Sequence, residues 1–319
     1  MSMMHNGKYF QTVFPVRGLS AVMSTKTKIF CMTCMLVLFL CGTAGAETFT
    51  DLLGRKVVIK SRPERIVSMA PSLTEILYYL GLGDRVVGVT QYSNYPEDAR
   101  SKPNVGSYVK LNVEKIVSLS PDLAVGTVDG NREGIVKLLD QAGIPAFIVN
   151  PRNVEQTIET VQLLGRVCGV PEHGEELASK LKKRVDRIVQ KVQSQKKPRV
   201  FVQINTKPIM TVNHNTVLND LIRLAGGINL FADEPITYPR ISLEAVLKRK
   251  PDVIILAAMV GEESFDETYR EWMKWDTIPA VKNKRVYLIN SDLTNRPSPR
   301  IVDGLEMVAR LIHPEIKWE

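Results

Sequence analysis

Predicted strands and helices alternate along this 319-residue chain, and the alternation occurs twice. It first runs from Arg65, where RIVSMA, RVVGVT, DLAVGT and PAFIV are typical strands and the segments between them are typical helices. It restarts after Pro198 with the strands RVFVQI, DVIILAA and RVYLIN. Strands that alternate with helices of about ten residues predict a parallel sheet covered on both faces. The sequence therefore predicts an α/β protein with two Rossmann-like lobes, each with a mainly parallel sheet.

A long charged segment separates the two alternations. Within residues 171–195 no Gly or Pro follows Gly174, and apolar residues recur at helical spacing. These apolar residues are Leu177, Leu181, Val185, Ile188 and Val192. A helix of about 20 residues spans roughly 30 Å and resists bending, because a kink must break its hydrogen-bond ladder. We expect one long α-helix at 170–197 to join a lobe at 47–169 to a lobe at 198–319. The alternative is a surface helix within one domain.

The first residues predict a cleavable secretory signal peptide, residues 1–46. Two lysines precede the apolar run 29–41, and the small residues AGA, which end at Ala46, follow it. The run is shorter than the roughly 20 residues of a membrane-spanning helix, so export is expected. Lipid attachment at Cys41 is disfavoured, because the bulky Leu40 stands where a lipoprotein peptidase favours a small residue.

The charge and cysteine content of the exported part exclude two classes of protein. Without residues 1–46 the net charge falls from +8 to +4, because four basic and no acidic residues are removed. This charge is too small to predict nucleic-acid binding, and no basic run with interleaved aromatic residues occurs. Cys168 is the single cysteine that remains, so no internal disulfide can form and the lobes must rely on hydrophobic cores.

Sequence motifs of enzymes are missing from the exported part. The Gly81-Leu82-Gly83 stretch follows a predicted helix and precedes a strand, which is the reverse of a dinucleotide-binding turn. The histidines, His173, His214 and His313, lack the spacing of metal ligands. The sequence therefore predicts no enzyme, no metal site and no cofactor. One alternative function is that of an α/β enzyme acting between the lobes, which would need a nucleophile and a base. Another is that of an adhesion module, which would need a repeat array.

Aromatic and polar residues recur in the loops between elements of both lobes. They are Tyr92, Tyr95, Tyr108, Tyr238, Asp292 and Arg296. Each loop follows a predicted strand or leads into a helix, and open α/β sheets bind ligands at the carboxyl ends of their strands. Aromatic faces offer flat apolar area at little cost in rotamer entropy, which suits a large planar ligand. These loops are therefore the predicted ligand site.

One short pattern is written twice, as LNVEKIVSLSPDLAV at 111–125 and ISLEAVLKRKPDVII at 241–255. A predicted helix N-cap places Glu114 and Glu244 in the first turn, where an acid stabilises the helix dipole by about 0.3 to 1 kcal/mol. Both glutamates lie one position short of a capping box, so they are free to point outward, one from each lobe. The stretch SLTE, by contrast, matches a capping box that would account for Glu75.

Three stretches of the chain carry a resemblance to a known family. They are RIVSMAPSLTEILYYLGLGDRVVGVTQYSNYPEDA, VGSYVKLNVEKIVSLSPDLAV and SDLTNRPSPRIVDGL. They resemble the periplasmic cobalamin- and iron-siderophore-binding proteins of ABC importers, and the similarity covers nearly all of the exported part. The resemblance implies a monomeric periplasmic protein of two α/β lobes joined by one long helix. It also implies that Glu114 and Glu244 dock on arginines of the two permease copies, while separate subunits hydrolyse ATP.

The resemblance also implies a ligand. Five residues fall where a cobalamin binder lines its cleft: Tyr92, Tyr108, Tyr238, Asp292 and Arg296. Thr127 and Leu293 depart from that pattern, since an aromatic residue at either position would strengthen packing on a corrinoid, and Tyr108 and Tyr238 replace bulkier indoles. A corrinoid is the expected ligand. The alternative is a ferric siderophore or haem, whose carboxylates or catecholate charge would pair with Arg240 and Arg296.

Overall fold

The computed structural model describes residues 45–60, 62–130, 133–257 and 263–318, and nearly all of the predicted signal peptide lies outside them. The first element is a hairpin that the sequence analysis did not predict. Its antiparallel strands are β1 (Ala46–Thr50) and β2 (Lys56–Lys60). Asp51 shapes the turn by accepting hydrogen bonds from the backbone amides of Leu53 and Arg55.

The N-terminal lobe contains a four-stranded sheet in which every pairing is parallel, in the order β4-β3-β5-β6. The strands are β3 (Ile66–Ser68), β4 (Val86–Gly88), β5 (Leu123–Thr127) and β6 (Ala146–Val149). The helices between them are Pro71–Tyr79, Val113–Ser118 and Glu133–Gln141, with short 3-10 turns at Gly83–Arg85 and Glu97–Ser101. All four strands and all three helices confirm the predicted alternation.

The C-terminal lobe repeats this architecture with a parallel sheet in the order β10-β9-β7-β8. Its strands are β7 (Arg199–Gln203), β8 (Ile228–Asn229), β9 (Val253–Leu256) and β10 (Val286–Leu288). Its helices are Val217–Leu224, Leu243–Arg249, Glu263–Met273, Pro279–Lys282, Ser291–Asn295 and Ile301–Ile312. The two-lobe α/β fold is therefore as the sequence predicted. The short strand β8 and the short helices Pro279–Lys282 and Ser291–Asn295 were not predicted.

Two helices connect the lobes, Val154–Val167 and Pro171–Val192. They cross at a pair of glycines, since a Cβ added to Gly165 would lie 2.8 Å from the Cα of Gly174. Farther along the second helix, Arg184 pairs with Asp303 of the C-terminal lobe at 2.7 Å. The helix ends at Val192, so the predicted segment 170–197 also contains the turn that leads to β7.

The hydrophobic core continues from one lobe into the other. One cluster of buried residues contains Leu73 and Val125 of the N-terminal lobe, Leu181 of the long helix, and Val202 and Leu305 of the C-terminal lobe. A continuous apolar core resists separation of the parts that share it, because separation would expose apolar surface to water. Since the long helix also resists bending, we expect little motion between the lobes. The lobe boundaries at 169 and 198 stay predictions.

Candidate functional site

The candidate site lies where the loop after β4 meets the loop after β10. Tyr92 and Asn94 belong to the first loop, and Asp292 and Arg296 belong to the second, which contains the short helix Ser291–Asn295. The guanidinium of Arg296 donates to the Asn94 side-chain oxygen at 2.7 Å and to the Tyr92 carbonyl at 3.3 Å. It also pairs with the Asp292 carboxylate at 2.8 Å. The structure thus brings together three of the five predicted ligand residues at the junction of the lobes.

A buried carboxylate, that of Glu75, binds the same guanidinium from the N-terminal lobe. Glu75 has no solvent exposure. Its Oε1 accepts from Arg296 at 3.1 Å and from Arg300 at 2.6 Å, and its Oε2 accepts from Ser298 at 2.5 Å and from Arg300 at 2.9 Å. Burying a charge is costly unless that charge is paired and hydrogen-bonded. Every partner named here comes from the C-terminal lobe, so this cluster fastens one lobe to the other.

The capping-box prediction for Glu75 is wrong. The helix begins at Pro71 with Ala70 as its N-cap and without a side-chain cap, so Glu75 lies too far along the helix to reach the cap. Proline is favoured at the first helical position because it has no amide hydrogen to leave unsatisfied there. The sequence did carry a signal for a different role. Glu75 is the single charged residue of a helix rich in apolar residues, and such a residue needs a partner when it is buried. Its partners Ser298 and Arg300, together with Asn94, were missed along with it.

Arg300 is held by an aromatic face as well as by Glu75. Its guanidinium lies 3.8 Å from the centroid of the Tyr95 ring, and that ring stacks on Tyr79 at 6.5 Å between centroids. Burial acts to lower the pKa of Arg300, but the hydrogen bonds and the charge of Glu75 raise it above its ordinary value. The guanidinium therefore stays charged in this buried position. Tyr95, which the sequence placed in a candidate ligand loop, packs within the interlobe cluster.

Tyr108 and Tyr238 form the second part of the candidate site. The Tyr108 ring packs on Gly130 so closely that a Cβ there would lie 2.1 Å from the ring. Its hydroxyl lies 3.0 Å from the hydroxyl of Thr127 at the end of β5. Burial raises the pKa of Tyr108 above its ordinary value, although the hydrogen bond with Thr127 acts to lower it. Burial also raises the pKa of Tyr238 in the C-terminal lobe, and the Asp129 carboxylate of the N-terminal lobe raises it further.

Exposed apolar side chains accompany these polar groups. Tyr92 is 56% exposed and Tyr238 is 46% exposed, and Ile236 on the same loop as Tyr238 is exposed as well. Exposed aromatic surface at the mouth of an α/β site suits an apolar ligand face. Leu293 is half-buried in the short helix Ser291–Asn295.

The repeated pattern has the same local structure in both lobes. Asn112 and Ser242 cap the two helices, and each side chain accepts a hydrogen bond from a backbone amide three residues later. Ser120 and Lys250, which follow the helices, both have a φ of 46°, in the left-handed region. Glycine is the residue that usually occupies this conformation at a helix end. Both units therefore reverse direction at an equivalent residue.

An aspartate and an arginine close each unit. Asp122 accepts from the Arg65 amide at 3.2 Å, and Asp252 accepts from the Arg199 amide at 2.8 Å. The side chains of Arg65 and Arg199 also donate to backbone carbonyls at the C-terminal end of the helix that precedes each aspartate. These hydrogen bonds order the last turn of that helix. The Pro-Asp element of the pattern is therefore part of a clamp between a helix end and a strand start.

The predicted docking glutamates are exposed in both lobes. Glu114 and Glu244 each lie in the first turn of a clamped helix. Hydrogen bonds from its own backbone amide and from the Ser242 hydroxyl lower the pKa of Glu244, so this carboxylate also contacts its cap. The two carboxylates stand on equivalent frames at opposite lobes of the protein.

Removal of the Asp122 side chain is expected to loosen the first clamp. Asp122 is 18% exposed and pairs with Lys60 at 2.6 Å. Burial opposes the shift, but the Lys60 ammonium and two backbone amides lower the pKa of Asp122. Asp122→Ala is expected to lower the free energy of unfolding by about 1 kcal/mol at neutral pH, because solvent screens part of the ion pair. Urea denaturation measures this loss, and the exposed Asp186→Ala is the control.

The same variant has an expected pH dependence. A carboxyl with a lower pKa in the folded protein than in the unfolded chain stabilises the protein above its ordinary pKa, and this contribution is lost as the pH falls. The advantage of the wild type over Asp122→Ala should therefore shrink as acid protonates Asp122. A difference that stays constant down to the lowest pH at which the protein folds would contradict the ionic role.

Two features are absent from the residues that the structure describes. Those residues contain no group of three or more His, Cys, Asp or Glu side chains placed to hold a metal ion. Within the same ranges, no helix combines the length and the apolar character required to cross a membrane.

Comparison with known proteins identifies the family. Residues 66–293 match the family model described as periplasmic binding protein. A vitamin B12-binding protein of Vibrio cholerae serotype O1 is 33% identical over 246 residues, which is 77% of this chain and 87% of that protein. The crystal structure of the periplasmic vitamin B12 binding protein of Vibrio cholerae is 32% identical, with a TM-score of 0.72 over 80% of this chain and 99% of that one.

A haem-binding relative shares the fold as well. The periplasmic heme-binding protein of Roseiflexus sp. RS-1 in its apo form is 26% identical, with a TM-score of 0.71 over 79% of this chain and 98% of that one. The family model covers most of this chain, and its two parallel-sheet lobes agree with the folds of these relatives. The chain belongs to the periplasmic binding protein family.

Proposed function

We propose that this protein is the solute-binding component of an ABC importer and captures a corrinoid in the cleft between its lobes. The observation that carries the proposal is Arg296, which is anchored in both lobes beside the exposed ring of Tyr92. The similarity to vitamin B12-binding proteins supports the choice of ligand. A corrinoid is large and flat, and its rim carries amide groups that can hydrogen-bond to such a site.

The mechanism is capture without chemistry. The ligand would enter the cleft, contact Tyr92, Tyr108 and Tyr238, and hydrogen-bond to Asp292 and Arg296. Closure would be small, because a continuous core and the long helix resist separation of the lobes. The predicted signal peptide and the family both favour the periplasm as the place of action. We assign no enzymatic step and no resident cofactor to this chain.

Delivery would depend on Glu114 and Glu244. Each would meet an arginine on one of two equivalent permease subunits, and desolvated carboxylate–arginine pairs favour the correct partner and register. Release requires that the permease bind the spread form of the protein better than the closed form. Separate ATPase subunits would supply the energy. The binding protein itself would act as a monomer.

Haem or a ferric siderophore is the second candidate ligand. The similarity to the Roseiflexus heme-binding protein favours it, and Arg240 is exposed on the C-terminal lobe. The contacts of Arg296 make haem or a ferric siderophore a weaker candidate than a corrinoid. The terminal nitrogens of Arg296 already contact Glu75, Asp292 and Asn94. A ligand carboxylate binds an arginine best through two parallel N–H groups, so it would compete with these partners.

Calorimetric titration of residues 47–319 tests the proposal. We expect one-to-one binding of cyanocobalamin, and no comparable binding of haemin, a ferric hydroxamate or a ferric catecholate. Tyr108→Ala and Arg296→Ala should each weaken corrinoid binding about tenfold or more, because each removes a group from the cleft. Tyr269→Ala and Arg187→Ala replace the same residue types outside the site and should bind normally. A haemin or siderophore isotherm without a corrinoid isotherm would overturn the choice of ligand.

A further inference from the structure

The charges of the interlobe cluster cancel. Glu75 and Asp292 contribute two negative charges, and Arg296 and Arg300 contribute two positive charges. Three of these four side chains are at least 85% buried, and Asp292 is 32% exposed. Without Glu75, the same site would carry one unit of positive charge beside the proposed ligand. The buried carboxylate therefore decides whether the cleft attracts anions.

Glu75 also determines how Arg296 can be used. The Nη1 atom of Arg296 donates to Glu75 and Asn94, while its Nη2 atom donates to the Tyr92 carbonyl and pairs with Asp292. Both terminal nitrogens are thus engaged within the protein. A ligand carboxylate that needs two parallel N–H groups would have to displace one of these partners. A single ligand carbonyl needs one N–H group, so an amide costs the cluster less than a carboxylate.

Glu75 itself is fixed in place. Ser298 and Arg300 occupy its oxygens together with Arg296, and the Arg300 guanidinium lies against Tyr95. A carboxylate with these partners and no solvent exposure has no room to turn away from Arg296. Its distance from that guanidinium is therefore set by the fold and is independent of the ligand.

From these contacts we infer that Glu75 is a positioning and specificity residue, which holds Arg296 across the lobes and keeps the site electrically neutral, so that uncharged, amide-bearing ligands are favoured over carboxylates. The inference rests on the proposed function of the cleft as a ligand site. It adds a residue that need not touch the ligand.

The test compares two ligands that differ in one charge. Hydrolysis of one propionamide of cyanocobalamin gives a monocarboxylate of nearly the same shape, and its isomers can be separated. Calorimetry on wild type and Glu75→Gln yields the ratio of the two dissociation constants for each isomer. We expect the largest effect for one of the monocarboxylate isomers. For that isomer the wild type should bind the amide more tightly than the carboxylate. Glu75→Gln should shift the ratio of dissociation constants about tenfold toward the carboxylate, since the cluster has lost one negative charge.

Asp220→Asn is the matched control. Asp220 is another buried carboxylate between the lobes, and it accepts from the Val154 amide at 2.9 Å and from Arg223 at 2.6 Å. Its loss should lower stability but leave the ratio of dissociation constants unchanged. A purely structural Glu75 would behave in the same way. An unchanged ratio in Glu75→Gln for every isomer would therefore overturn the inference.

Two further measurements keep the inference testable. If Glu75→Gln does not fold, the wild-type ratio decides, and equal affinity for amide and carboxylate would overturn the inference. If the wild type binds haemin but no corrinoid, the proposed ligand is wrong, yet haemin and its dimethyl ester form a second pair, which differs in two carboxylates. A wild type that favours the ester would then support the role of Glu75, and one that favours haemin would refute it.

Discussion

The double variant Glu114→Ala/Glu244→Ala is expected to lose ligand transport while its affinity for the ligand stays unchanged. Both carboxylates are exposed in the first turn of a clamped helix, away from the contacts of Arg296. Removal of one partner from a desolvated ion pair leaves the other charge unpaired, which speeds dissociation. Uptake of radiolabelled cyanocobalamin should fall at least about tenfold in cells that depend on this protein, while calorimetry should show normal binding. Each single variant should lie between wild type and the double variant.

Glu172→Ala/Glu175→Ala is the control for net charge. These glutamates are exposed at the start of the long helix, so the control removes the same two charges from a different surface. We expect normal uptake from it. Normal uptake by the Glu114/Glu244 double variant would refute the docking role. Loss of uptake in both double variants would show that uptake depends on the net charge of the protein and not on these two positions.

The proposed docking role gives a reason for the repetition of this pattern. In each lobe an N-cap, a left-handed residue and an aspartate–arginine clamp fix one short helix at both ends. A glutamate in the first turn of such a helix is presented on a rigid frame. Two equivalent frames on pseudo-equivalent lobes match a partner with two equivalent pockets, as a permease dimer would offer.

The fold was largely predictable because its signal is local. Strands of a parallel sheet are buried on both faces, so they appear as short apolar runs between helices. The hairpin β1–β2 gave a weaker signal, because its strands are only five residues long and β1 is polar, mostly exposed and close to the predicted cleavage site. The helix Val154–Val167 was not assigned, although Asn153 caps it.

The site was predictable only in part because its central contacts are distant in sequence. Tyr92, Asp292 and Arg296 could be chosen from their positions after strands. Glu75 and its partner Arg296 are 221 residues apart, and a local capping box offered a sufficient explanation for the carboxylate. Pairings of this kind depend on how the lobes pack.

Replacement of the buried carboxylate in Glu75→Ala is expected to lower the free energy of unfolding by about 3 to 5 kcal/mol. The variant leaves the Arg300 guanidinium buried without its main partner, and truncation of one member of a buried ion pair costs this much in other proteins. Arg296 would keep its pairing with Asp292, so the loss falls mainly on Arg300. Urea denaturation followed by tryptophan fluorescence measures the change. Glu114→Ala, which removes an exposed glutamate from the first turn of a helix, should lower the free energy of unfolding by no more than about 1 kcal/mol.

A second replacement separates pairing from packing. Glu75→Leu/Arg300→Met removes both charges and fills the space with apolar groups, and such exchanges are often neutral or stabilising. The double variant should therefore be more stable than either single variant, Glu75→Ala or Arg300→Met. The single variant Arg300→Met removes two of the hydrogen-bond donors of Glu75. If both single variants unfold at the wild-type midpoint, the cluster does not hold the lobes together. The double variant leaves Asp292 and Arg296 as the charged pair of the cluster, which stays neutral. A retained preference for the amide would therefore assign the preference to net charge, and a lost preference would assign it to the hold of Glu75 on Arg296.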